Sequence, residues 1–280
     1  MEDQKRFDLK IAHHGFLLWV IAFFITVGSA VFQRMTGPTY PLSGWVTIGN
    51  ERIRYELIRS ETVNSDAKIS ISAADTTISG IVEYRRYKSD DDWTKLVLER
   101  SNDRLETILP AQPAAGKLMY VVYLKKGEEK ISLSGEKPII IRYKGAVPTA
   151  ILLPHILLMF LAMLLSNRAG LEALNKDGRA YRYLLWTVGI FFVGGFILGP
   201  LMQKYAFGAY WTGIPFGRDL TDNKTLIAML GWIFAWFKNR KGRDGRGWIV
   251  FAALLMLLVY MIPHSLLGSE IDYSQLPQSQ

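Results

Sequence analysis

Two histidines in the chain each follow a proline inside a long apolar stretch, in Leu152-Leu153-Pro154-His155 and in Met261-Ile262-Pro263-His264. An ionisable side chain within an apolar span is a candidate functional site, and neutral imidazole is a common ligand of haem iron, copper and zinc. The pattern therefore predicts that His155 and His264 hold one metal between them, as axial ligands if that metal is the iron of haem b. The alternative interpretation is structural: each imidazole hydrogen-bonds a backbone carbonyl that the neighbouring proline leaves without its helical partner.

Composition excludes several other site chemistries. The 280 residues include no cysteine, which excludes disulfides, thiolate zinc sites, iron–sulfur clusters and covalent attachment of haem. Residues 37–146 contain no histidine, so a Ser-His-Asp hydrolase has no candidate base there. Asp90-Asp91-Asp92 has the carboxylates that calcium prefers, but such a run is more typical of a solvated hairpin turn. Any covalent chemistry would therefore belong to a partner.

Residues 204–224, which link two apolar stretches, are rich in aromatic residues and glycine. Tyr210 and Trp211 suit the face of a flat apolar ligand at the membrane surface. Arg218 and Lys224 can pair with carboxylates such as the propionates of haem. These four residues form the predicted cofactor-binding set, to which Asp219 is added.

Acidic residues at the end of this segment also allow a purely structural interpretation. Asp219 or Asp222 can cap the helix that follows and favour its dipole. Residues 204–224 would then be an interfacial aromatic belt with a capped re-entrant turn.

The elements that must position these residues are apolar stretches close to the length that spans a bilayer. In hydrocarbon every backbone polar group must be satisfied internally, so such stretches are predicted to be helices. The first stretch is longer than the apolar core of a cleaved signal peptide, and we interpret it as a signal anchor. The five stretches are residues 15–33, 147–165, about 183–202, 225–237 and 248–268.

Lysine and arginine are concentrated in three short segments, which predicts the orientation of the chain. Short basic segments stay in the cytoplasm, so the N-terminus is expected inside and the C-terminus outside after five crossings. The net charge of +8 is thereby attributed to membrane orientation and not to nucleic-acid binding. The expected location is the bacterial cytoplasmic (inner) membrane. The basic residues are Lys5, Arg6 and Lys10, then Arg168, Lys176, Arg179 and Arg182, then Lys238, Arg240, Lys241, Arg243 and Arg246.

Residues 37–146 are polar and, by the same rule, lie outside the cytoplasm. Short segments that alternate apolar and polar residues recur about every ten residues, which predicts a β-sandwich. The segment Ala115-Gly116-Lys117-Leu118-Met119-Tyr120-Val121-Val122-Tyr123 resembles the strand that carries the aromatic corner in fibronectin III or immunoglobulin-like domains. The resemblance implies a domain that docks a protein partner. The predicted strands are 52–57, 68–71, 80–84, 93–98, 105–109, 117–124 and 138–143.

The aromatic segment itself resembles a known family. Phe207-Gly208-Ala209-Tyr210-Trp211-Thr212, followed by Asp219-Leu220-Thr221, is similar to the tryptophan-rich WWD segment of haem-handling membrane proteins in cytochrome c assembly. In that family an external aromatic segment precedes a helix, and two histidines on outward-facing segments flank it. His155 and His264 flank the segment here, which implies a haem-handling role.

The sequence thus predicts an α+β membrane protein with five transmembrane helices and an inserted extracytoplasmic β-sandwich. Its domains are residues 1–36, a signal-anchor helix, 37–146, the sandwich, and 147–280, four further helices. The predicted function is haem binding or haem handling, with membrane lipid and a protein partner as contacts and no nucleic acid. One alternative is a non-catalytic scaffold or assembly protein whose sandwich recognises a partner, and another is a b-type haem electron carrier.

Overall fold

A computed structural model of the chain describes residues 2–176, 178–240, 245–263, 268 and 270–275, with side chains from Gly15 onward. The chain divides into two compact units, which we call the helical unit and the sheet unit. The helical unit comprises Met1–Gly37, Val147–Tyr205 and Ala209–Gly268, and the sheet unit comprises Pro38–Ala146, Ala206–Gly208 and Ser269–Gln280.

The helical unit consists of apolar helices, three of which are long and apolar enough to cross a membrane among the described residues: Gly15–Thr36, Thr149–Ala173 and Ala180–Phe207. The apolar helix Arg246–Met261 is shorter. The prediction of mixed α and β structure is therefore confirmed, and three of its helices are candidates to cross a membrane. The helices are α1 (Glu2–Thr36), α2 (Thr149–Ala173), α3 (Ala180–Phe192), α4 (Gly199–Phe207), α5 (Leu220–Asn239) and α6 (Arg246–Met261), with a π-helical turn, Val193–Leu198, joining α3 to α4.

Small residues allow close packing inside the helical unit. A Cβ atom built on Gly170 of α2 would lie 2.7 Å from the Cβ of Ala253 on α6, so the two backbones approach closely. Such pairs of small residues are typical of helix contacts in membranes, where packing replaces the hydrophobic effect. Nearby, the fully buried Trp232 of α5 donates its Nε1–H to Met256 Sδ of α6 at 3.1 Å.

Where the structure describes its residues, the sheet unit contains three sheets. One is the hairpin β1–β2, the second has the order β3-β11-β9-β5-β6 with β10 also pairing with β9, and the third is β4-β8-β7. All pairs are antiparallel except β3 with β11. The strands are β1 (Leu42–Ile48), β2 (Glu51–Leu57), β3 (Ser60–Thr62), β4 (Ala67–Ser72), β5 (Ser79–Arg86), β6 (Thr94–Val97), β7 (Glu99–Ser101), β8 (Arg104–Leu109), β9 (Lys117–Lys126), β10 (Glu129–Ser132) and β11 (Ile139–Lys144).

Alternating side chains of these strands meet in one core. Ile69 and Ile71 of β4 alternate with exposed or half-buried neighbours and join Val82 of β5 and Leu118 of β9 in the same cluster. The core also holds the ring of Tyr120, whose hydroxyl donates to the carbonyl of Ile58 at 2.7 Å. Burial raises the pKa of Tyr120, so the hydroxyl remains a donor.

The seven predicted strands are confirmed as β2, β4, β5, β6, β8, β9 and β11. Three predicted boundaries are wrong. The last predicted helix, 248–268, ends at Met261, where α6 gives way to an extended Ile262. Helix α4 continues to Phe207 and α5 begins at Leu220, so the connection between them is 208–219 and not 204–224. Arg168, which was counted in a basic link, lies buried within α2.

Arg168 can be buried because its charge has a partner one helical turn away. Its guanidinium forms an ion pair with Glu172 and lies over the rings of Tyr183 and Trp19, at 4.6 Å and 5.5 Å from their centroids. A paired and stacked guanidinium avoids most of the cost of burying an isolated charge.

Candidate functional site

His155 lies in the second turn of α2, and its ring is held by a neighbouring helix. Its Nδ1 is 3.0 Å from the carbonyl oxygen of Gly194, in the π-helical turn. A carbonyl only accepts, so Nδ1 carries the proton and Nε2 of the neutral ring keeps its lone pair. The carbonyl that Pro154 leaves without a helical partner is that of Ala150, so the structural alternative for His155 is wrong in its choice of carbonyl.

The π-helical turn brings three helices together around this histidine. Gly194 and Gly195 are both buried. A Cβ on Gly194 would lie 3.2 Å from Leu158 of α2, and one on Gly195 would lie 3.1 Å from Thr225 of α5. The absence of side chains at these two positions therefore allows α2 and α5 to approach the turn. Such π-helical turns occur often at functional sites.

Backbone amides of the connection 208–219 are bound by the first turn of α5. The Asp222 carboxylate accepts from the N–H groups of Thr212 at 2.7 Å and Gly213 at 3.0 Å. The side-chain oxygen of Asn223 accepts from the N–H of Ile214 at 2.7 Å. Asp219 caps α5 by accepting from the Thr221 N–H at 2.8 Å, which confirms the capping alternative for this residue.

The two predicted ligand-face residues, Tyr210 and Trp211, have different surroundings. The indole of Trp211 stacks on Phe196 of the π-helical turn, with ring centroids 5.8 Å apart, and its Nε1–H donates to the Ile214 carbonyl at 3.1 Å. Tyr210 is 56% exposed, and its ring lies 5.4 Å from the Nζ of Lys204. Trp211 thus contributes to packing, while Tyr210 remains open to a ligand.

The two predicted propionate partners, Arg218 and Lys224, are also separated. Arg218 is exposed in the connection, whereas Lys224 is only 5% exposed in the second turn of α5. The Lys224 ammonium donates to the carbonyl of Ile262 at 2.5 Å, next to the end of α6, where a cation offsets the negative end of the helix dipole. The structure therefore does not bring Arg218 and Lys224 together on one exposed face.

Lys224 borders a cavity between the helices. The cavity is about 20 Å³, enough for roughly one water molecule and far too small for a porphyrin. Met159, Phe191 and Tyr260 also line it. His264 lies outside the described residues, so its distance from His155 is not part of this description. Within the described part of the chain, no group of three or more His, Cys, Asp or Glu side chains is placed to hold a metal ion.

A second polar site, which sequence reasoning missed, lies in the sheet unit. The Glu270 carboxylate accepts from the ammonium groups of Lys88, which follows β5, and Lys117, the first residue of β9. Tyr273 lies under the Arg86 guanidinium, 4.8 Å from ring centroid to Cζ, and its hydroxyl donates to Gln112 Oε1 at 3.0 Å. Nothing local in the sequence couples residue 270 to residue 117, because the contact depends on tertiary structure.

The electrostatics of this second site are dominated by cations. Burial lowers the pKa of Lys117, and the nearby Arg142 and Lys88 act in the same direction. Burial also works to raise the pKa of Glu270, but hydrogen bonds from Lys117 and Lys88 outweigh it, and the net pKa of Glu270 is lowered. Glu270 is therefore an ionised carboxylate that offsets at least two cations.

Asp91, the middle residue of the acidic run, is also bound to a cation. Its carboxylate accepts two hydrogen bonds from Arg86, at 2.6 Å and 2.7 Å, and these bonds lower its pKa. The run lies in the loop between β5 and β6 and is tied to Arg86 at the end of β5, which agrees with the hairpin interpretation.

Comparison with known proteins adds no family: no protein-family model, curated protein or solved structure matches this chain. The function is therefore inferred from geometry and chemistry alone.

Proposed function

We propose that this chain is a non-catalytic membrane scaffold or assembly protein. Five transmembrane helices hold the sheet unit, a fibronectin III-like or immunoglobulin-like β-sandwich, outside the cytoplasm, where it recognises a protein partner. The observation that carries the proposal is that three separate stretches of chain, Pro38–Ala146, Ala206–Gly208 and the segment after Gly268, belong to one compact sheet unit.

The chain returns to the sheet unit twice, and this supports a particular number of membrane crossings. A sheet unit on one side of the membrane requires an even number of crossings in residues 147–205, and in the proposed arrangement α2 and the α3–α4 helix supply two. At the point of return the N–H of Gly145 donates to the carbonyl of Ala206 at 2.8 Å, within the sheet unit. The same parity applies to α5 and α6, because the chain after Gly268 again belongs to the sheet unit. With α1 the proposed arrangement has five crossings.

Charge supports the orientation. The link after α2 carries Lys176 and Arg179, and Lys238 lies in the last turn of α5. Short basic segments of this kind remain in the cytoplasm. The N-terminus is then inside, and the sheet unit and the C-terminus are outside, as expected for a protein of the bacterial cytoplasmic membrane. The shared core of the three-stranded and six-stranded sheets supports a sandwich.

Cysteine labelling tests this arrangement, because an introduced thiol is the only one in the chain. Ser101→Cys in β7 and Ser274→Cys near the end of the chain should react with a membrane-impermeant maleimide in intact cells. Leu174→Cys, exposed after α2, is the matched control and should react only after permeabilisation. Labelling of Ser274→Cys only after permeabilisation would contradict the five-crossing arrangement.

Haem binding or haem handling is the second candidate, and one observation favours it. The bond between His155 Nδ1 and Gly194 orients the ring and leaves Nε2 available, which is the usual arrangement of a metal-ligating histidine. The other predicted haem residues fit less well, because Lys224 is buried on the Ile262 carbonyl and Trp211 is stacked on Phe196. The resemblance to WWD proteins and a role in cytochrome c assembly belong to this second candidate.

The visible spectrum separates the two candidates. The scaffold proposal predicts that protein purified in detergent stays colourless and develops no stoichiometric Soret band when haem b is added. A Soret band that disappears in His155→Ala or His264→Ala would instead support haem ligation. A stably bound haem with a defined midpoint potential would favour the electron carrier.

A further inference from the structure

The sheet unit contains a basic cleft, which we define by Arg86, Lys88, Gln112 and Lys117. The end of β5, the turn after it, the loop before β9 and the first residue of β9 contribute these side chains. In the structure the cleft is occupied by the segment Glu270–Ser274 of the same chain, which we call the tail.

The tail binds in a defined register. The Ile271 N–H donates to the carbonyl of Ala115 at 3.2 Å, and the Ser274 N–H donates to the carbonyl of Lys88 at 3.1 Å. Between these backbone bonds the Tyr273 hydroxyl reaches Gln112. A Cβ on Gly116 would come within 2.6 Å of that hydroxyl, so a glycine is needed to admit the ring. The cleft therefore selects a carboxylate followed three residues later by an aromatic ring.

The cleft requires an anion. The Lys117 side chain is 11% exposed, and the cations of Arg142 and Lys88 are among the charged groups close to it. Leaving a buried ammonium without its carboxylate is costly, since neither solvent nor a counter-charge then compensates it. A ligand that displaces the tail must therefore bring a carboxylate of its own.

We propose that the basic cleft is the partner-docking site of the sheet unit, and that it binds an acidic peptide segment in which a carboxylate precedes an aromatic residue by three positions. The tail is the intramolecular occupant of that site. This inference rests on the proposed function of partner recognition and names the chemistry of the partner.

Exchange between tail and partner is energetically accessible. A tethered segment experiences an effective concentration on the order of millimolar, so weak intrinsic affinity is enough to keep the tail bound. The ion pair between Lys88 and Glu270 is partly exposed, and surface ion pairs contribute little. A partner that makes the same contacts and adds others can displace the tail.

The test uses the full-length protein in detergent and a fluorescein-labelled synthetic peptide of residues 268–280, followed by anisotropy. The full-length double variant Glu270→Ala/Tyr273→Ala frees the cleft without shortening the chain. We expect this variant to bind the peptide at least tenfold more tightly than the wild type, whose own tail competes. Adding Lys117→Met to the variant should abolish binding, and a peptide with Glu270→Ala should not bind.

Two results would overturn the docking site: no binding by a double variant whose circular dichroism matches the wild type, or equal binding after Lys117→Met. Wild-type dimers that the double variant fails to form would assign the cleft to the tail of a second copy, which also overturns a partner-docking role. Failure of the proposed function is distinguishable, because it would appear in the maleimide labelling and the haem spectrum, neither of which depends on the peptide.

Discussion

The imidazole of His155 on α2 and the carbonyl of Gly194 on the π-helical turn form an interhelical hydrogen bond of 3.0 Å. His155 directly follows Pro154, and Gly194 lies in the π-helical turn. The proline and the π-helical turn therefore lie at the same contact. The π-helical turn thus makes one specific polar contact with α2, next to the only proline within that helix.

Replacing His155 with alanine should lower the free energy of unfolding by about 1 kcal/mol, the usual net value of one hydrogen bond. Unfolding in mixed detergent micelles measures the change. Leu157→Ala, two residues further on and largely exposed, is the control for loss of side-chain volume on the same helix. Equal effects of the two substitutions would show that the hydrogen bond contributes nothing specific.

Asp222→Ala should release the connection 208–219, because its carboxylate binds the N–H groups of Thr212 and Gly213. Each hydrogen bond to a charged group contributes about 1.5–3 kcal/mol. We expect faster amide hydrogen exchange at Thr212 and Gly213, measured by mass spectrometry of peptides from this connection.

The matched control for Asp222 is Asp219→Ala, which removes the cap of α5 and should cost about 1 kcal/mol. Its effect on exchange should appear at Thr221 and leave Gly213 protected. Unchanged exchange at Gly213 in Asp222→Ala would refute the assigned role of Asp222.

Gly170→Ala should destabilise the contact between α2 and α6, because the new Cβ would lie 2.7 Å from that of Ala253. Overpacking of this kind costs about 1–3 kcal/mol. Combining Gly170→Ala with Ala253→Gly should recover most of the loss, since the second change removes the clashing atom. Unfolding of the two single variants and the double variant measures this coupling.

Gly189→Ala is the control for Gly170→Ala, because nothing lies within 4 Å of a Cβ atom built at position 189. It should change stability by less than about 1 kcal/mol, and in the stabilising direction, since alanine is the better helix former. A comparable loss in Gly189→Ala and Gly170→Ala would mean that close packing with Ala253 is not the cause.

Attachment of the tail should depend on pH. The pKa of Glu270 is lowered in the folded state, so its contribution to stability is present above the unfolded value of about 4.5 and is lost as the pH falls through the folded pKa. Ser274→Cys should therefore react faster with a small neutral thiol reagent once the pH is below the lowered pKa of Glu270 than at pH 7, after correction for the intrinsic pH dependence of the thiol. Glu270→Gln in the same background should remove this pH dependence.

The strands were predictable where apolar and polar residues alternate in the sequence. In β4 the apolar side chains of Ile69 and Ile71 alternate with polar ones, and this period of two is visible in the sequence alone. Strand β1 escaped prediction because Gly44 and the exposed Trp45 interrupt the alternation.

Positions set by distant contacts could not be predicted in this way. Lys224 was expected to face an external ligand, yet it binds the carbonyl of Ile262, and hydropathy does not indicate which helix end lies beside it. The burial of Arg168 could not be predicted because the contacts of its guanidinium with Tyr183 and Trp19 depend on packing. The α6 boundary follows from backbone sterics, because Ile262 precedes Pro263 and is extended.

The contact between Glu270 and Lys117 also sets an order of events during biosynthesis. Translation produces Lys117 early, whereas its carboxylate leaves the ribosome only after α5 and α6 have been made. The second domain to be synthesised is thus the last to be completed, and a chain arrested before residue 270 leaves a buried ammonium without its counter-ion. Synthesis of α5 and α6 is in this way a precondition for a complete sheet unit.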